Sequence, residues 1–89
     1  MVTKTATILN ESGLHARPAT EFVETAKRFQ SKIKICRPGE DAVNAKSVVM
    51  LLSCGFSQGE SVEISAEGED EDGAVQALED VVKSGFGEL

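Results

Sequence analysis

Apolar and polar side chains alternate from Val2 to Leu9. Val2, Ala6 and Ile8 share one face, Thr3, Thr5 and Thr7 the other, and Lys4 interrupts the apolar face near the chain start. A period of two with β-branched residues predicts a strand. Asn10-Glu11-Ser12-Gly13 is a turn cluster. The period then changes: Ala19, Phe22, Val23, Ala26 and Phe29 fall at helical spacing, which predicts an amphipathic helix. Pro18 suits the first helical turn, where its missing N–H has no intrahelical acceptor, and it disfavours helix before it. The helix therefore starts within a residue or two of His15. Alternation returns over Ser31–Cys36, a turn follows at Pro38-Gly39-Glu40-Asp41, and Ala42-Val43-Asn44 reads as a short strand closing a hairpin. The apolar run Val48–Leu52 fits a strand or a short helix; Ser47 before it as N-cap and Gly55 after it favour the helix. Gln58-Gly59 is a turn, and Ser61–Ala66 alternates as a strand with one buried face does. Glu69-Asp70-Glu71-Asp72 places negative charge at the start of a last helix, where the helix dipole favours it. That helix carries the stripe Ala74, Val75, Leu78, Val81 and Val82 and ends at Gly85.

The resulting order is β-α-β-β-α-β-α. Four one-faced strands and three striped helices predict an α+β two-layer sandwich, one sheet with the helices on one side. Periodicity leaves the strand order open. The 89 residues make a single domain, 1–89, with a modest core. No apolar run approaches the ~20 residues of a membrane helix. Met1-Val2-Thr3-Lys4 lacks the apolar stretch of a signal peptide, so the expected location is the cytoplasm. With no surplus apolar face beyond what the sandwich buries, a monomer is expected.

Charge changes the picture in two ways. A formal net charge of -6 argues against nucleic acid as a partner. The sign is also unevenly spread: residues 1–46 carry eight basic and five acidic side chains, residues 47–89 only Lys83 against ten acids. The basic half would suit anionic groups or an acidic partner surface; a chance distribution of solvated faces gives the same count. Cys36 and Cys54 form no CxxC and are read as small buried hydrophobes. With one histidine and two separated cysteines, a zinc site would need more ligands than this chain offers, so no metal is expected.

The candidate chemistry lies in Ser12-Gly13-Leu14-His15-Ala16-Arg17-Pro18-Ala19, which holds the one histidine of the chain. Imidazole, with an ordinary pKa of ~6.5, is largely neutral at pH 7, so a ring nitrogen has a lone pair able to attack phosphorus. The unpaired N–H groups of a helix start, here around Ala16 and Arg17, can donate to phosphoryl oxygens. Arg17 adds a permanent charge with a fork that matches phosphate. Gly13 permits a tight turn ahead of the site. From spacing alone, a structural histidine beside a surface arginine fits as well.

The seven residues Gly13-Leu14-His15-Ala16-Arg17-Pro18-Ala19 resemble the active-site signature of HPr, the histidine-containing phosphocarrier of the bacterial sugar phosphotransferase system. The chain length, the element order, Asn44-Ala45-Lys46-Ser47 and Ile64-Ser65-Ala66-Glu67-Gly68 resemble that family too. The resemblance implies an open-faced β-sandwich with a four-stranded antiparallel sheet and three helices on one side. It implies that His15 accepts a phosphoryl group on Nδ1 from phosphorylated enzyme I and passes it to enzyme IIA domains. Arg17 would assist both transfers, and Ser12 and Ala16 would help hold the phosphoryl oxygens. Such a protein is a covalent carrier and not an enzyme with turnover of its own. No P-loop pattern is present, and no cofactor is expected.

Ser47 matches the position of the serine that HPr kinase/phosphorylase phosphorylates in many bacteria, a modification tied there to a transcriptional regulator and to carbon catabolite control. Phosphate at a helix N-terminus is stabilised, yet it would put negative charge on the face that meets enzyme I. A plain N-cap serine is the other reading. Val48, Val49 and Leu52 are candidates for partner contact, and Met50 and Leu51 are equally assignable to the core. The turn Arg37-Pro38-Gly39-Glu40-Asp41 looks about a residue longer than the family's usual turn, which bears on the register of the serine segment. Two further readings stay open: a nitrogen-branch or regulatory paralogue acting as a phosphorylation-dependent adaptor, and a small interaction module whose histidine is only structural.

Overall fold

In the computed structural model, which describes residues 1–89, the expected elements are present. They are β1 (Val2–Thr7), α1 (Ala16–Lys27), β2 (Lys32–Cys36), β3 (Val43–Asn44), α2 (Val48–Cys54), β4 (Ser61–Glu67) and α3 (Glu71–Lys83). The strands form one sheet in the order β1-β4-β2-β3, each neighbouring pair antiparallel. β1 and β2 consequently run parallel with β4 inserted between them, and α1 makes the crossover. This order follows from pairings distant in sequence, such as Ala6 with Val62 and Ile35 with Ile64.

Each element buries the face its periodicity predicts. Ala6 and Ile8, Ile33 and Ile35, and Val62, Ile64 and Ala66 point inward. They meet Phe22, Val23 and Ala26 of α1 and Ala74, Val75, Leu78 and Val82 of α3 in one continuous core. Lys4 lies on the inward face at an edge strand, and its ammonium reaches Gln76 and Glu79 of α3, which explains the break in the apolar pattern.

Some boundaries differ from expectation. β1 stops at Thr7, and Leu9 is exposed although Ile8 stays buried. α2 is a helix, capped by the Ser47 hydroxyl, which accepts from Met50 N–H at 3.2 Å. The acidic run is only partly helical: Glu71 and Asp72 fill the first turn of α3. Asp70 instead turns its carboxylate to the Ser31 hydroxyl and to the Gln30 and Ser31 backbone N–H groups, tying α3 to the start of β2. α3 runs to Lys83 and is stopped as expected by Gly85, which lies just past the Ser84 C-cap in the left-handed conformation (φ +68°); a 3₁₀ turn, Gly85–Gly87, then buries Phe86 against the core.

The β2–β3 connection holds its register despite its length. Pro38-Gly39 sits in a turn closed by Glu40 N–H to the Arg37 carbonyl at 3.0 Å. Lys34 pairs with Asn44, and the Ala45 N–H reaches the Ile33 carbonyl at 2.9 Å, which leaves Ser47 at the N-cap of α2.

Candidate functional site

His15 is the N-cap residue of α1, with extended backbone (φ -124°, ψ 158°). It is exposed, and its ring makes no capping bond to the helix, so the imidazole stands free above the helix start. Ala16 follows with φ +50°, an uncommon conformation for alanine that bends the chain into the helix. Pro18 and Ala19 are buried beneath, anchoring the first turn.

The loop before His15 is held from below. Leu14 is fully buried, and its N–H donates to the Phe56 carbonyl at 3.0 Å. Gly13, at φ +65°, lies so close that a Cβ there would sit 2.5 Å from the same carbonyl oxygen. Glycine is thus needed twice, for its backbone angle and for its missing side chain. Asn10 is buried, and its amide nitrogen donates to the Gly13 carbonyl at 2.8 Å and to the Glu88 carboxylate at 3.1 Å.

Arg17 and Ser12 both face the C-terminal segment. The Arg17 guanidinium bonds to Glu21 at 3.0 Å and to the Phe86 carbonyl at 2.7 Å, with Glu88 3.5 Å away. The Ser12 hydroxyl donates to Glu88 at 2.7 Å. Glu88 therefore gathers Ser12, Asn10 and Arg17 around one carboxylate. Those bonds, Ser12 foremost and then Asn10, with the nearby Arg17 charge, hold the Glu88 carboxyl below the usual glutamate range. A set of donors that satisfies one exposed carboxylate has the chemistry to satisfy a phosphoryl oxygen.

Ser12, His15, Ala16 and Arg17 are all exposed, and Ser12 and Arg17 meet at the Glu88 carboxylate. The structure adds two residues the sequence reading missed. Asn10 read only as a turn former, and Glu88 lies near the chain end outside any periodic element; nothing local in the sequence ties either to His15. The remaining candidates lie on α2. Val49, Met50 and Leu52 are exposed, Leu51 is fully buried, and Val48 is half-buried against the core. Val48 is thus less available for contact than the sequence reading took it to be, and Met50 is exposed beside Val49 and Leu52.

Fold and site together define a small two-layer α+β domain that presents one free imidazole over a helix N-terminus. A family model described as the HPr component phosphorylation site of the phosphotransferase system matches residues 2–84. The phosphocarrier protein HPr of Haloferax volcanii is 43% identical over 82 residues, covering 91% of this chain and 92% of that protein. A crystal structure of HPr from Thermoanaerobacter tengcongensis superposes with a TM-score of 0.94 at 48% identity, covering 100% of this chain and 99% of that one. One of an HPr dimer from the same organism gives 0.78 at 49% identity, covering 99% and 100%. The chain belongs to the HPr phosphocarrier family.

Proposed function

We propose that this protein relays a phosphoryl group from phosphorylated enzyme I to enzyme IIA domains through a phosphohistidine at His15. The observation that carries the reading is the exposed His15 imidazole, free of any capping bond, at the N-terminus of α1. The His15 Nδ1 lone pair attacks phosphorus as the bond from phosphorus to the enzyme I histidine breaks. The electron pair of that bond returns to the leaving imidazole. Transfer to an enzyme IIA histidine repeats the step with His15 as the leaving group. The reaction is mostly positioning and charge stabilisation through a loose in-line transition state.

An exposed site with few donors suits a carrier. Contacts that hold the phosphohistidine too well would slow the second transfer, whereas contacts confined to the transition state speed both. Arg17 and Ser12 satisfy Glu88 in the unphosphorylated protein; serving the phosphoryl group means exchanging one anion for another. The exposed Val49, Met50 and Leu52 would supply the apolar contact for the partner proteins. Ser47, at the N-cap of α2, would be the regulatory site where a HPr kinase/phosphorylase is present. The working state is a cytoplasmic monomer; the dimer of the Thermoanaerobacter tengcongensis relative makes a second state worth checking by sedimentation.

Intact mass after incubation with phosphoenolpyruvate, Mg²⁺ and a bacterial enzyme I tests the reading. Wild type should gain one acid-labile phosphoryl group and His15→Ala none. No gain in wild type with several enzyme I proteins would refute it.

A further inference from the structure

We infer that Arg37 and Glu60 are positioning residues for His15, acting through the 54–60 loop that forms the floor of the site; the inference rests on the carrier reading above. Neither side chain hydrogen-bonds to His15 or Arg17. Arg37 instead ties three pieces of chain together. Its Nε and one terminal nitrogen bond to the Glu60 carboxylate at 2.5 and 3.1 Å. The same terminal nitrogen reaches the carbonyls of Cys54 at 2.9 Å and Gly55 at 3.1 Å, closing the C-terminal end of α2. Its guanidinium lies 4.8 Å from the centre of the Phe56 ring. Glu60 in turn accepts from the Ser57 N–H at 2.7 Å. Residues 54–60 are thus held from both ends by one ion pair.

The other side of that loop carries the active segment. Phe56 offers its carbonyl to the Leu14 N–H, and the Gly59 N–H donates to the Ile8 carbonyl at 2.8 Å. The Ile8 N–H donates to the Glu60 carbonyl at 2.9 Å, and the Gln58 amide to the Leu9 carbonyl at 3.0 Å. At Gly13 the two backbones are packed with no room for even a methyl group. A shift of the Phe56 carbonyl therefore passes directly to Gly13 and Leu14, and Leu14 precedes His15. Where catalysis is mostly positioning, a small displacement of the nucleophile lowers the rate of the step more than it lowers binding.

The test compares wild type with Arg37→Met and Arg37→Lys, which keeps the charge but loses the fork. Loading by enzyme I is measured as kcat and KM, and amide hydrogen exchange is measured in the absence of enzyme I. Both variants should lose about tenfold in kcat with KM changed by less than about twofold. The Leu14 amide should exchange about tenfold faster while the central-strand amides of Ile35 and Ile64 keep their protection. Unchanged kcat or unchanged Leu14 exchange overturns the inference and leaves Arg37 a local cap. If Arg37→Met does not fold, Arg37→Lys decides by the same two readings. Absence of loading in wild type would count against the carrier reading alone, and Leu14 exchange would still decide whether Arg37 holds the loop.

Discussion

At the scale of single residues, one carboxylate collects the donors that precede and follow His15 in the chain. Glu88 is satisfied by Ser12, Asn10 and Arg17, and its carboxyl is held below the usual range. A depressed carboxylate contributes stability that is present at neutral pH and lost as pH falls through the folded-state pKa. The C-terminal segment should therefore loosen progressively as pH falls from the ordinary glutamate range through the lower folded-state value. Titration of the Glu88 carboxyl carbon by NMR measures this. Ser12→Ala should raise the midpoint more than Arg17→Ala, because the Ser12 bond is the larger cause. An unchanged midpoint in Ser12→Ala would show that the hydroxyl does not hold the carboxylate in solution.

At the scale of elements, α2 is the one the sequence left ambiguous, since Val48–Leu52 carries no strict period. Its ends resolve it. The Ser47 hydroxyl satisfies Met50 N–H at the start, and Gly55 takes the left-handed conformation (φ 63°) at the finish. A helix of seven residues gains little from propagation and depends on its caps. Ser47→Ala should cost about 1 kcal/mol by urea denaturation and speed exchange at the Met50 amide. A cost below about 0.3 kcal/mol would mean that Leu51, buried in the core, fixes the helix without the cap. The caps were legible in the sequence because capping is local. The faces of the helix were not, because which of Val48, Val49, Met50, Leu51 and Leu52 is covered depends on where α1 and β3 lie.

At the scale of the whole molecule, the sandwich has one covered and one open sheet face. Ile64, in the central strand, is fully buried, whereas Thr5 on β1 is exposed opposite Glu63. Ile64→Ala should lose about 2–5 kcal/mol, and Thr5→Lys should stay within about 0.5 kcal/mol, both by chemical denaturation. Comparable losses at the two positions would contradict a layer of helices on one side only. No helix is long and apolar enough to cross a membrane.

Apart from the covered side of α2, the sequence by itself determined the elements, their inward faces and the seven residues from Gly13 to Ala19, because hydrophobic period, turn chemistry and capping act over a few neighbouring positions. Only the tertiary structure decided the strand order β1-β4-β2-β3, which depends on pairing between segments distant in the chain, such as Ala6 with Val62 and Ile35 with Ile64. It also decided what surrounds His15. Glu88 reaches Ser12 across 76 positions of chain, and the Phe56 carbonyl meets Leu14 across the floor that Arg37 and Glu60 hold. Such contacts leave no periodic trace, because each is a single hydrogen bond or close approach made possible only once the layers have packed.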